Sequence, residues 1–191
     1  TECDASQSKL YYIEPEDITN TSYKGNRQTF TFYHKKYETG LMGVWQNENG
    51  AIAVKAAQVL ANECGYSRIT DESIKKGIAT ATWPARFQKL SSKPLLIIDG
   101  AHNEDAALRL RQTIDLLYSD KKKIYIMGMF RDKAVDKVVE TIVSDGEMVF
   151  TCQTPNNPRA LTAVELAEKV RKYNENVTSC DSIEEAIEFA F

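Results

Sequence analysis

The sequence lacks an excess of positive charge. Across 191 residues, 24 lysines and arginines face 27 aspartates and glutamates, and the formal net charge is −3. A protein that tracks a phosphate backbone needs a basic patch or stripe, so no nucleic-acid partner is expected. The one basic run, Lys121-Lys122-Lys123, falls between a helical pattern and a strand, where it caps a helix end and stays solvated. No stretch approaches the 18 consecutive apolar residues of a membrane-spanning helix, and the start, Thr-Glu-Cys-Asp, has neither the basic nor the apolar region of a secretory signal. Membrane insertion and export are not expected, and the expected location is cytoplasmic. Four cysteines, Cys3, Cys64, Cys152 and Cys180, stand far apart, with no Cys-x-x-Cys pair and no histidine at zinc-ligand spacing. They read as reduced thiols, and no metal-ligand set is assigned. Internal repeats and low-complexity stretches are missing too.

What is present describes a globular protein, 42% apolar and 27% charged. The length holds one domain with an appendage or two small domains. β character comes first, in residues 9–14, 29–34 and 37–42. The second and third of these are close enough to form a hairpin through Lys35-Lys36, and residues 20–26 read as a polar loop. The first has no partner before it and the chain starts on threonine, which leads to the expectation of a piece of a longer chain. A mostly apolar helix is expected over about 49–62, with Gly65 at its C′ position. A shorter helix opens at Thr70 or Asp71 and carries Ile74 and Ile78. Trp83-Pro84 then marks a boundary, because proline breaks the helix and the pattern changes. The expected domains are residues 1–82 and 83–191.

After the boundary, strands over 94–99, 123–128, 148–152 and 177–180 alternate with helices over 103–117, 132–144, 162–173 and 182–191. That alternation predicts α/β architecture: a Rossmann-like, mostly parallel sheet with helices on both faces, preceded by the hairpin and two helices. In such a sheet ligands bind beyond the carboxyl ends of the strands.

The sharpest candidate site sits at one of those ends. Leu95-Leu96-Ile97-Ile98 should be a buried strand, and Asp99-Gly100-Ala101-His102-Asn103 begins where it emerges. Asp99 is in the ligand position of an open α/β sheet, and Gly100 lets a ligand approach the backbone. The same residues could instead only make a turn and cap the next helix. Upstream, Arg86 offers a permanently charged planar fork suited to a phosphate, or a surface ion pair. Asn49 could present its amide to a base or ribose, or cap the long helix.

Three segments, residues 43–50, 83–87 and 99–103, resemble in this order the folylpolyglutamate and dihydrofolate synthases of the Mur ligase superfamily. The family pattern is Gly-x-His-Gln-x-x-Asn-Ala, Trp-Pro-Gly-Arg-Phe and Asp-Gly-Ala-His-Asn. Two weaker echoes, Met127 to Lys133 and Asn157 to Leu161, resemble the family's Gly then Asp-Lys-Asp and its Pro-Arg-Ala-Leu. Trp45 replaces the family histidine, Gly50 an alanine, Ala85 a glycine and Ala134 an aspartate.

The resemblance implies an ATP-dependent amide ligase that joins L-glutamate to a folate or dihydropteroate carboxylate through an acyl phosphate, with Mg²⁺, and that is monomeric. It implies that Asn49, Arg86 and Asp99 contact ATP, and that the catalytic residue His102 lies near the incoming glutamate. Residues 1–82 would be the end of the central ATP-binding domain and residues 83–191 the carboxy-terminal ligase domain, with Trp83-Pro84 as hinge. No Gly-x-x-x-x-Gly-Lys-Ser/Thr phosphate loop occurs in the sequence. The loop and the metal ligands would belong to an amino-terminal ATPase domain acting as partner, leaving this portion inactive alone. Another Mur-type amino-acid ligase and a non-catalytic Rossmann-like binding module are the competing readings.

Overall fold

A computed structural model describes residues 2–191. The chain folds as two compact units, Thr1–Gln88 and Lys89–Phe191.

The first unit begins with a short helix, α1 (Glu2–Ala5), and a 3-10 turn at Pro15–Asp17. Three strands follow, β1 (Ile18–Lys24), β2 (Arg27–Phe32) and β3 (Lys35–Thr39), paired antiparallel in sequence order. Alternation along β2 turns Gln28, Phe30 and Phe32 inward, and along β3 it turns Tyr37 and Thr39 the same way. Phe30 and Tyr37 are cross-strand partners whose rings stack 5.6 Å apart. Helices α2 (Gln46–Glu63) and α3 (Asp71–Thr80) supply Ala51, Val54 and Ile74 to the same cluster. Thr70 opens α3 by accepting the Ser73 N–H. Gly65 has φ +78, the left-handed conformation that ends a helix, as expected.

Three expectations fail here. Residues 9–14 are not a strand; Lys9 and the Tyr11 hydroxyl instead donate to Glu63 on α2 at 2.6 and 2.5 Å, while Ile13 joins the core. Their alternating pattern serves a helix surface rather than a ladder, and Pro15 interrupts it. The expected loop 20–26 is mostly β1. Its polar residues face solvent on an edge strand, which composition alone does not separate from a loop. The hairpin turn also shifts: Tyr33 and His34, with φ of 42° and 64°, form the two-residue connection of β2 and β3. That geometry usually selects Asn-Gly, so Tyr-His gave no signal.

The second unit contains β4 (Gln88–Ser92), β5 (Leu95–Ile98), α4 (Glu104–Tyr118), β6 (Ile124–Met127), α5 (Val135–Val143), β7 (Met148–Thr151), α6 (Ala163–Val170), β8 (Val177–Ser179) and α7 (Ile183–Ala190). β6, β7 and β8 form a parallel sheet in sequence order. Val149 faces a cluster built with α5 and α6, including Val138, Val139 and Leu166, whereas its neighbour Phe150 faces Ala186 of α7. The sheet is therefore covered on both faces, as the alternation of strands and helices implies.

β5 departs from the expected buried parallel strand. It pairs with β4, across a two-residue connection that only antiparallel strands allow, and Leu95 and Ile98 remain 37% and 36% exposed. β4 was not foreseen, since Gln-Lys-Leu-Ser-Ser carries one apolar residue and no readable period.

Candidate functional site

β5 delivers Asp99 to its carboxyl end, and the five residues that follow form a self-bonded turn. Asp99 Oδ1 accepts the Ala101 N–H at 2.8 Å, and Asn103 Oδ1 accepts the Ala106 N–H at 2.8 Å to cap α4. Between them, His102 Nδ1 lies 2.8 Å from the Gly100 carbonyl oxygen. A carbonyl only accepts, so Nδ1 carries the hydrogen of this bond, and Nε2 is the other ring nitrogen of an exposed side chain. Asp99 is half-buried. The turn and cap roles of Asp99 and Asn103 are thus both filled.

The two echoes prove to be neighbours. The loop after β6 and the loop before α6 run together through an antiparallel bridge at Phe130 and Ala160, with Arg131 N–H donating to the Arg159 carbonyl at 2.8 Å. Arg131 pairs both guanidinium ends with Glu165 at 2.7 and 2.8 Å, and Arg159 pairs with Asp132 at 3.2 Å while covering the Phe130 ring. Arg131, with help from the Thr162 N–H and hydroxyl, holds the Glu165 carboxyl down to about 2. Sequence reading saw two separate motifs here, because the pairing is non-local.

In the first unit, Arg86 is exposed between two residues of unusual backbone, Ala85 with φ 55° and Phe87 with φ 43°. The Ala85 N–H donates to Gln88 Oε1 at 3.0 Å, and Phe87 is buried. Asn49 is not the helix cap. α2 starts at Gln46 behind Trp45, so Asn49 lies within the first turn, exposed, with its amide donating to Gln46 Oε1 at 3.1 Å. The four candidate residues are therefore divided: Asn49 and Arg86 in the first unit, Asp99 and His102 in the second.

Sequence reading overlooked what holds the loop before Asn49. Gln28 Oε1 accepts the Gly43 N–H at 3.2 Å, and Thr39 Oγ1 accepts the Leu41 N–H at 3.1 Å. Gln28 is fully buried. The one available signal was a glutamine at an inward position of an alternating strand.

Residues 85–191, more than half the chain, match the family described as Mur ligase, glutamate ligase domain. The chain belongs to the Mur ligase family. Its similarity to the folylpolyglutamate synthase of Lacticaseibacillus casei is 35% identity over 124 residues, 65% of this chain and 28% of that one. Against the dihydrofolate synthase/folylpolyglutamate synthase of Escherichia coli (strain K12) it is 27% over 190 residues, 97% of this chain and 42% of the relative. The solved structure of E. coli FolC in complex with DHPP and ADP matches with a TM-score of 0.71 at 28% identity, over 92% of this chain and 40% of that one. The chain thus spans less than half the length of these relatives. Within this Mur ligase, the matched glutamate ligase domain contains the Asp99 turn, His102 and the Arg131 and Arg159 loops. Asn49 precedes it. Among the described residues no helix is long and apolar enough to cross a membrane.

Proposed function

We propose that this chain is the carboxy-terminal part of an ATP-dependent folylpolyglutamate/dihydrofolate synthase. The supporting observation is the Asp99 to Asn103 turn, seated at a strand end inside a region that matches a glutamate ligase domain. The substrate carboxylate takes the γ-phosphoryl group of ATP, giving an acyl phosphate and ADP. The amino nitrogen of L-glutamate then attacks the acyl carbon, phosphate leaves, and the nitrogen gives up a proton as the amide forms. The acids taken are folate or dihydropteroate.

His102 is suited to the second step. With Nδ1 donating to the Gly100 carbonyl, Nε2 is the nitrogen assigned to receive the proton of the attacking amine. Asp99 is assigned to the ribose hydroxyls, Arg86 to the phosphates and Asn49 to the nucleotide. A carboxylate, a fixed cation and a side-chain amide have the donor and acceptor types those groups require.

Magnesium accompanies ATP in such chemistry by shielding phosphate charge. Among the described residues no group of three or more histidine, cysteine, aspartate or glutamate side chains could hold a metal ion. Its ligands, together with the phosphate loop, are assigned to an amino-terminal ATPase domain. That domain is the partner this chain needs, in a monomeric, cytoplasmic enzyme.

The test is an assay of the full-length gene product with dihydropteroate and with a reduced folate, each with L-glutamate and Mg-ATP. Glutamate-dependent ADP release with at least one acid is expected, and none with the 191-residue chain alone. Failure with both acids overturns the reading.

A further inference from the structure

Gln28 and Thr39 face each other across β2 and β3, and both side chains are buried, at 0% and 3% exposure. Their inward direction is the one taken by Phe30, Phe32 and Tyr37. Two polar residues on that face need a reason, because burying them removes their water. Each accepts a backbone N–H from the same loop, Gln28 from Gly43 and Thr39 from Leu41. That loop joins β3 to α2. Gly43 within it is buried with φ 137°, a conformation closed to most side chains, and its carbonyl accepts the Gln46 N–H at 3.1 Å to start the helix. A third polar contact fixes the first turn from outside the pair: the Asn47 amide donates to Thr21 Oγ1 of β1 at 3.1 Å.

The order of dependence is thus readable. Gln28 sets the Gly43 N–H, Gly43 sets the start of α2, and the start of α2 sets Gln46 and the Asn49 amide bonded to it. An apolar residue at position 28 would fill the core equally well but leave the Gly43 N–H without its acceptor. Gln28 Nε2 itself has no acceptor among the described residues, so the amide is oriented through its oxygen alone.

We propose that Gln28 and Thr39 are positioning residues for the nucleotide side of the site, acting through the loop at residues 40–45 on Asn49. This rests on the nucleotide role given to Asn49 above. Neither residue touches ATP. Their loss lets the α2 start shift, which weakens nucleotide binding without removing a reacting group.

The experiment uses the full-length gene product, with Gln28→Met, Thr39→Val and Thr39→Ser variants. Valine matches threonine in shape and lacks the acceptor, whereas serine keeps it. Gln28→Met and Thr39→Val are expected to raise KM for ATP about 5-fold or more, in line with loss of one net hydrogen bond. Their kcat and KM for L-glutamate should stay within about 2-fold, and Thr39→Ser should restore KM for ATP. An active wild type with unchanged KM for ATP in Gln28→Met and Thr39→Val overturns the inference alone. So does a Thr39→Ser variant that behaves like Thr39→Val, or a uniform loss of kcat without change in KM. A wild-type gene product with no glutamate-dependent activity overturns the proposed function, and the inference with it.

Discussion

Gly50 lies against the ring of Phe30: a Cβ built at position 50 would stand 2.7 Å from Cζ and 2.9 Å from Cε1. The aromatic ring on β2 fills the space where the family pattern has an alanine methyl on α2. Glycine at position 50 therefore leaves room on the helix for the Phe30 ring. Gly50→Ala is expected to destabilise the chain, since overpacking costs about 1–3 kcal/mol and the better helix propensity returns only about 1 kcal/mol. Adding Phe30→Leu should recover part of the loss. Urea unfolding of the two variants measures both changes.

Ala85 departs from the family pattern in the opposite direction. Its φ of 55° lies in the left-handed region, where an L side chain is strained and glycine is not. Ala85→Gly is expected to stabilise the folded chain by up to about 1 kcal/mol, the relief of strain exceeding the added freedom of the unfolded chain. A lower melting temperature for Ala85→Gly would contradict this.

Asp99 allows a test that separates turn from ligand. Asparagine offers the same Oδ1 to the Ala101 N–H, so Asp99→Asn should preserve the turn and leave the unfolding midpoint close to that of the wild type. The lost charge should nevertheless reduce activity of the full-length gene product at least about 10-fold if the carboxylate holds the ribose. An Asp99→Asn enzyme with wild-type kcat/KM for ATP would assign the residue to the turn alone.

Asn103 tests the rest of that segment. Its side chain caps α4 through the Ala106 N–H, and Asn103→Ala is expected to cost about 1 kcal/mol of stability. Asn103→Asp should restore most of it, because aspartate is an equally good cap and its charge suits a helix N-terminus. Thermal unfolding of the three proteins gives the comparison.

Glu165 provides a pH signature. Its carboxyl is lowered from 4.5 to about 2, chiefly by Arg131. A carboxyl depressed on folding adds stability above its unfolded value, near pH 4.5, and loses it as pH falls toward 2. Removing the carboxylate with Glu165→Gln should flatten that part of the acid-unfolding curve. Equal slopes for wild type and variant between pH 4.5 and 2 would show that the Arg131 pair does not couple to folding.

Most of the second unit was readable because its signals are local. Short segments between helical periods gave β6, β7 and β8, and the Asp99 to Asn103 segment lies beside its own strand and helix. Strand β4 and the solvent-facing edge strand β1 were not readable, since each depends on a partner elsewhere in the chain. The Gln28 contacts with the loop, and the bridge that joins the loops of Arg131 and Arg159, were hidden for the same reason.

By itself the sequence determined the α/β class, the order of the helices, the Asp99 turn and the want of a phosphate loop, all properties of contiguous residues. Tertiary structure decided that the Phe30 ring packs against Gly50 of α2, that Gln28 and Thr39 hold a loop, and that two separate motifs become one bridged pair. Those outcomes follow from packing and hydrogen bonding between residues distant in the chain, where volume and unsatisfied polar groups are settled only once the elements meet.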